Sequence, residues 1–270
     1  MIVGIDFGIT NTDIAVSNED KIKFFSFPSK KISDNFIKEI FASIKLDSNK
    51  VTKIAVTGGK SNDLGNFFNN IPIVKVNEIE AIGFGVIELY DIGNKPFMAV
   101  SAGTGTACIY HADKKFNHLG GISIGGGTLQ GLSNYLLDTN DPCEIKDLAA
   151  SGDRKSLDIL IGEAVNKIGA LYPEITASNF AKGKNAKEHS NEDIAASLSN
   201  MVGEVIGTIS YLNALICGLD EVYFLGRTSK NLIVKNGIEE RLKLANIEGR
   251  FEVNREYGNV LGVLKFIKEN

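Results

Sequence analysis

Tryptophan is absent from the 270 residues, and cysteine and histidine occur only three times each. Cys108, Cys143 and Cys217 lie far apart with no CxxC pair, a spacing that argues against a zinc site or a disulfide scaffold and leaves them as reduced packing residues. His111, His118 and His189 show no metal-ligand spacing either. Positive charge is scarce: 29 Lys and Arg stand against 33 Asp and Glu, a net charge of -4. Such a chain has no field to attract a phosphate backbone, and no nucleic-acid partner is expected. The pairs Lys30-Lys31 and Lys114-Lys115 sit among polar residues and read as solvated turns. No apolar run reaches the ~18 residues of a membrane span. The opening MIVGIDFGIT carries Asp6 and lacks a basic leader, so a cytoplasmic protein with no membrane partner is expected. GxxxxGK[ST], GxSxG and HExxH are missing, which disfavours P-loop, α/β-hydrolase and zincin chemistry.

What is plentiful is glycine, 28 residues that cluster. With 43% hydrophobic content the chain can bury one large core or two modest ones. The segments IVGID, DIAVS and IKFFSF predict three N-terminal strands joined by FGITNT and a polar turn at 18–21. Ser33 and Asp34 cap a helix whose apolar face is Phe36, Ile37, Ile40, Phe41 and Ile44. A strand KIAVTGG, a short polar helix, a strand around Ile73 to Val76 and a helix from near Asn77 follow. From Lys95 the same order restarts, with helices over Asp193 to Cys217, Lys230 to Leu244 and Gly258 to Lys268. The predicted fold is therefore α/β: two copies of one βββ-then-α/β plan, residues 1–94 and 95–270, with a cleft between them. A Rossmann unit would instead run from its first strand directly into a helix through GxGxxG.

Four glycine features point to nucleotide phosphates. In the first, Asp6 ends a strand, Gly8 permits a tight turn and Thr10 supplies a hydroxyl, with Asn11, Thr12 and Asp13 continuing into the next strand; Asp6 suits Mg²⁺ held through water. An ordinary Asx-type turn would give the same string. In the second, Gly103, Thr104 and Gly105 occupy the equivalent hairpin of the second half, after Ser101, where small residues let the main chain approach a triphosphate. In the third, Gly125, Gly126 and Gly127 lead through Thr128 and Leu129 to Gln130 in a first helical turn, where unpaired N–H groups and the helix dipole favour an anion; close helix–sheet packing is the competing reason for glycine. In the fourth, Gly226, Arg227 and Thr228 follow a strand end, as an adenosine contact or simply a βα loop. A general base is offered by Glu78 or Glu80, in the first turn of the helix after Val76. Arg154, in Gly152-Asp153-Arg154, is a candidate for holding a carboxylate, or else a helix-ending surface turn.

Taken in order, GIDFGITNTDIAV, VTGG, KVNEIEAIGFG, SAGTGTACIY, HLGGISIGGGTLQGL, SGDRKSLD, TASNFAKG, MVGEVIGTI and YFLGRTSKN resemble the landmarks of type II pantothenate kinases over nearly the whole chain. The resemblance implies an actin-like, ribonuclease H-like fold and a homodimer. It also implies Mg-ATP-dependent phosphorylation of pantothenate, the first step of coenzyme A synthesis. On matching positions it makes Glu78 the base and turns Asp6, Gly8, Thr10, Thr104 and Gly126 to Gln130 toward ATP and magnesium. Gly226 to Thr228 then lie near the adenosine, and Ser101 and His118 near pantothenate. Three positions depart from the family pattern: Ile9 stands for a second glycine, Asp13 for a lysine and His118 for an arginine. An uncompensated Asp13 carboxylate would repel ATP. These departures keep two alternatives open, a kinase of an amino sugar or polyol and a nucleotide-binding paralogue without transferase activity.

Overall fold

The computed structural model describes residues 1–18, 21–166, 172–184 and 189–270; the middle of the polar turn expected at 18–21 lies outside them. The strands and helices, in chain order, are β1 Ile2–Phe7, β2 Asn11–Asn18, β3 Lys21–Pro28, α1 Asp34–Ser43, β4 Lys53–Thr57, β5 Phe67–Phe68, β6 Ile71–Lys75, α2 Glu78–Tyr90, β7 Phe97–Ala102, β8 Thr106–Ala112, β9 Lys115–Ile122, α3 Gly126–Leu137, α4 Pro142–Ser151, β10 Ile159–Leu160, α5 Ile161–Ala164, β11 Thr176–Ser178, α6 Asn191–Cys217, β12 Glu221–Leu225, α7 Leu232–Lys243, β13 Glu248–Arg250 and α8 Gly258–Glu269.

Local chemistry accounts for the boundaries. Ser33 Oγ accepts the Phe36 N–H at 3.2 Å and starts α1. Asn77 Oδ1 accepts the Ile79 N–H at 2.8 Å and starts α2; each is an N-cap that satisfies an orphan donor. Gly218, in the left-handed region at φ 65°, ends α6. That helix, 27 residues long, would pass as a membrane span by length and composition, yet its inner face packs on the second sheet through Leu198, Val202 and Ile206.

Among the described residues, β10 and β11 form a small two-stranded sheet, and the other strands form two larger sheets of the same plan. The first has order β3-β2-β1-β4-β6-β5 and the second β9-β8-β7-β12-β13. In each, three antiparallel strands are followed by two parallel pairings, β1–β4–β6 and β7–β12–β13. The repetition reaches single residues. Gly58 ends β4 at φ 101° and Gly226 ends β12 at φ 91°; a Cβ on either would lie 2.3 Å from a carbonyl oxygen, of Phe7 and of Ala102 respectively. Only glycine fits there.

Helices cover both faces of each sheet, and here the boundary expected at residue 94 needs correction. α1 packs on the outer face of the first sheet and α6 with α7 on that of the second. The inner faces are exchanged. α8, last in the chain, packs through Val260, Val263 and Leu264 against Ala15 and Ala55 of the first sheet. α2 packs through Ile82 and Val86 against Phe97, Ile109 and Leu225 of the second. The two helices cross backbone to backbone: a methyl on Gly262 would sit 1.8 Å from the Ala81 carbonyl oxygen, and one on Gly85 2.2 Å from that of Gly258. Each half thus covers the inner face of the other's sheet, and the helix N-termini that result are those carrying Glu78 and Asn259.

Candidate functional site

The β1–β2 and β7–β8 hairpins meet across the cleft. Thr10 Oγ1 and Thr104 Oγ1 are 2.9 Å apart although 94 positions separate them in sequence. Among the described residues, the N–H groups of Ile9, Thr10, Thr104 and Gly105 have no protein acceptor, so each bend keeps backbone donors that an anion can use. The first bend is braced from behind. The Ser29 hydroxyl donates to the Gly8 carbonyl at 2.6 Å, the Ser29 N–H donates to the Thr10 carbonyl at 3.0 Å, and buried Thr12 shares a hydroxyl–hydroxyl bond with Ser29. Thr12 therefore serves the shape of the bend, while Asn11 beside it is half-buried.

The glycine run at α3 behaves differently from the sequence expectation. Gly125 is the N-cap, and the N–H groups of Gly126 and Gly127 donate to the carbonyls of Gly103 and Thr104 at 2.8 and 3.0 Å. They are engaged by the second hairpin, not left open for phosphate. A Cβ on Gly125 would meet the Thr104 carbonyl oxygen at 2.7 Å, so packing requires the glycine. Leu129 points into the core of the second lobe, and Thr128 donates to the Ser123 carbonyl at 3.0 Å. Gln130 does line a groove of about 480 Å³ that runs from Thr10 along α3 past Asn134 and Tyr135. Gly226 is likewise glycine because β7 presses on it, and the Thr228 hydroxyl holds the Gly103 carbonyl at 2.8 Å.

Asp6 sits at the end of β1, directly opposite Asp13 in the β1–β2 register. One carboxylate oxygen accepts from Asn259 Nδ2 at 3.1 Å. Burial raises its pKa to about 7, the Asp13 and Glu78 carboxylates add to the rise, and the Asn259 bond and Arg227 oppose it. Glu78 is exposed in the first turn of α2. The Asp13 and Glu78 carboxylates are thus near enough to act on Asp6, although among the described residues no three such groups are arranged to hold a metal.

Asp13 is not the uncompensated charge expected from its position. Its two carboxylate oxygens accept from Arg227 Nη1 and Nη2 at 3.1 and 2.8 Å, and Nη2 also donates to Ser26 Oγ at 3.1 Å. The Arg227 guanidinium lies 5.7 Å from the Tyr257 ring centroid. Its partners are on the first sheet while its own loop belongs to the second lobe, so the pair bridges the cleft.

Comparison with known proteins decides the lineage. The Fumble family profile matches residues 88–236. The type II pantothenate kinase of Bacillus thuringiensis subsp. konkukian is 36% identical over 259 residues, 90% of this chain and 89% of that one. The chain belongs to the type II pantothenate kinase family. Two solved structures share the two-lobed actin-like fold. One is the activator of 2-hydroxyisocaproyl-CoA dehydratase from Clostridium difficile with bound ADPNP, with TM-score 0.65 and 16% identity, covering 98% of this chain and 93% of that one. The other is a ROK family glucokinase from Streptomyces griseus in complex with glucose and AMPPNP, with TM-score 0.62 and 12% identity, covering 100% and 99%.

Of the positions that the pantothenate kinase pattern assigns to the acceptor, Ser101 holds in the second lobe the strand place that Asp6 holds in the first, one residue before the end of its strand. His118 is exposed on edge strand β9, opposite Ile109. Arg154 is not brought to the cleft. Its guanidinium donates to Thr176 Oγ1 at 2.8 Å and to the Glu174 carbonyl at 2.9 Å, and it pairs with Asp158 and Glu240 inside the second lobe. Two residues that sequence reasoning missed are Asn259, the partner of Asp6, and Ser26, the second acceptor of Arg227.

Proposed function

We propose that the chain transfers the γ-phosphoryl group of ATP to the terminal hydroxyl of pantothenate, giving 4′-phosphopantothenate and ADP at the entry to coenzyme A synthesis. The observation that carries this reading is the meeting of Thr10 and Thr104 at 2.9 Å in a chain of this family. Two donor-lined bends on opposite lobes suit a triphosphate laid between them, because phosphoryl transfer depends on positioning and charge compensation. Glu78 acts as the base: its carboxylate takes the proton of the attacking hydroxyl as the new O–P bond forms and the bond to ADP breaks.

Magnesium fits the donor set. No group of three or more His, Cys, Asp or Glu among the described residues could hold a metal by itself, and Mg²⁺ is normally shared between one or two carboxylates, waters and substrate phosphates. Asp6, raised toward neutrality by burial first and by the Asp13 and Glu78 carboxylates after it, is the residue whose charge a cation would stabilise. When bound, Mg²⁺ neutralises charge on the transferring phosphoryl group. The enzyme is assigned to the cytoplasm as a homodimer on the family pattern.

A second reading, another small hydroxylated acceptor, is favoured by the candidate acceptor residues. Arg154 is paired inside the second lobe, away from the cleft, and the position of the family's usual arginine is an imidazole, His118. A coupled ADP-release assay over pantothenate, amino sugars and polyols separates the two. ADP formed only with pantothenate upholds the proposal; turnover confined to a sugar or polyol overturns it.

A further inference from the structure

The two walls of the cleft are tied together at two depths. At the tips the Thr10 and Thr104 hydroxyls are in contact. Deeper, Asp13 on β2 and Arg227 on the loop after β12 make a two-point pair at 2.8 and 3.1 Å. Arg227 also donates to Ser26 on β3. Asp13 on β2, Ser26 on β3 and Tyr257, which precedes α8 and stacks on Phe24 of β3, thus receive one side chain from the loop after β12.

The loop that carries Arg227 is rigid with the second phosphate bend. Gly226 lies against the Ala102 carbonyl, its N–H bonds the Arg255 carbonyl at 2.9 Å, and Thr228 bonds the Gly103 carbonyl. Asp13 is equally fixed, 6% exposed on β2 between β3 and β1. A planar fork held at two points between rigid bodies fixes distance and orientation together, which a point charge would not. Arg227 Nε has no protein acceptor among the described residues, and the side chain is 35% exposed, so the guanidinium keeps a donor and an open side.

We propose that Asp13 is a positioning residue: through Arg227 it holds the two lobes in register over the nucleotide. This rests on the nucleotide reading above. With the Thr10 and Thr104 hydroxyls bonded to each other at 2.9 Å, one of their two O–H donors is spent on the pair, and both can turn to a phosphate only when that contact breaks. Seating a phosphate against both bends therefore undoes a contact between the walls, and the Asp13–Arg227 pair keeps them from drifting apart when it does.

The test uses the whole chain and a fluorescent ADP analogue in stopped flow, with Asp13→Asn, Arg227→Lys and the charge swap Asp13→Arg with Arg227→Asp. The wild type should bind the analogue, with release that quickens as salt is raised. Asp13→Asn and Arg227→Lys should release it about tenfold faster and lose most of that salt response, and the swap should recover to within about threefold of wild type. Thermal melts exclude variants that fail to fold, and the salt response of the wild type needs no variant. Failure of the wild type to bind the analogue would sink the nucleotide reading itself. Binding with unchanged release in all three variants, or tighter binding in Asp13→Asn, would overturn the positioning role and leave Asp13 a bystander or a repelling charge.

Discussion

Gly262→Ala puts the α2–α8 crossing under direct test. The added methyl would lie 1.8 Å from the Ala81 carbonyl oxygen and 2.6 Å from the Gly85 nitrogen, both backbone atoms that cannot rotate away. To restore ordinary contact the helices must part by about 1.5 Å at that point, at an overpacking cost of ~1–3 kcal/mol. Alanine's better helix propensity offsets about 1 kcal/mol of this. Because the obstacle is main chain on both sides, a net loss near 2 kcal/mol is expected, equivalent to a drop in melting temperature of roughly 4–8 °C for a chain of this size. The effect on turnover should be larger than that on stability. α2 begins with Glu78 and α8 begins beside Asn259, the partner of Asp6, so parting the helices separates Glu78, the proposed base, from Asp6. A misplacement of about 1 Å in a reacting constellation can cost 10²-fold. Thermal melts and ADP release on Gly262→Ala measure both. Gly131→Ala is the control, since its methyl meets nothing within 4 Å on exposed α3 and should raise stability by up to about 1 kcal/mol. If Gly262→Ala melts and turns over like the wild type, the crossing does not couple the two lobes and the reasoning fails.

Other expectations concern the site itself. Glu78→Gln should lower turnover by roughly 10²- to 10⁴-fold, the usual worth of a general base, with nucleotide affinity within a few-fold of wild type; undiminished turnover removes Glu78 from that role. Asp6, at about 7 in the folded chain against 3.8 as the ordinary value, binds its proton more tightly when folded. Its contribution therefore favours the fold below about pH 4 and is lost as pH rises through about 7. Asp6→Asn, free of nucleotide and metal, should then gain melting temperature over wild type progressively from pH 5 to pH 8, and a pH-independent difference would contradict the raised carboxyl. Gly226→Ala should destabilise strongly, because φ 91° and the Ala102 carbonyl at 2.3 Å both exclude a Cβ; chemical denaturation checks it, and a neutral result would deny the close approach of β7.

The parts of this fold that were legible in sequence are those fixed by local chemistry. The short apolar runs IVGID, DIAVS and IKFFSF between turn signals correspond to β1 to β3, the Ser33 cap placed α1, the helix expected from near Asn77 is α2, and sustained helical spacing found α6 within two residues of its start. β13, Glu248–Arg250, escaped notice because three residues with no apolar alternation carry no period. The exchange of α2 and α8 between lobes could not be read at all, since an amphipathic helix does not say which sheet will cover it. The same limit hid Asn259 from Asp6, 253 positions away. Asp13 is the instructive case. A reversed charge in a familiar pattern asks for a counter-charge, and that question had an answer 214 positions on, at Arg227. The α3 glycines stayed open between two readings for the opposite reason: a run of small residues at a helix start has one appearance whether its N–H groups face a ligand or the neighbouring hairpin.

The most direct test of the account is a crystal structure of the chain with a non-hydrolysable ATP analogue, magnesium and pantothenate. The account predicts phosphate oxygens between Thr10 and Thr104, those hydroxyls drawn apart from 2.9 Å, and the pantothenate hydroxyl within hydrogen-bonding reach of Glu78. A nucleotide seated elsewhere, with the two threonines still in contact, would contradict it.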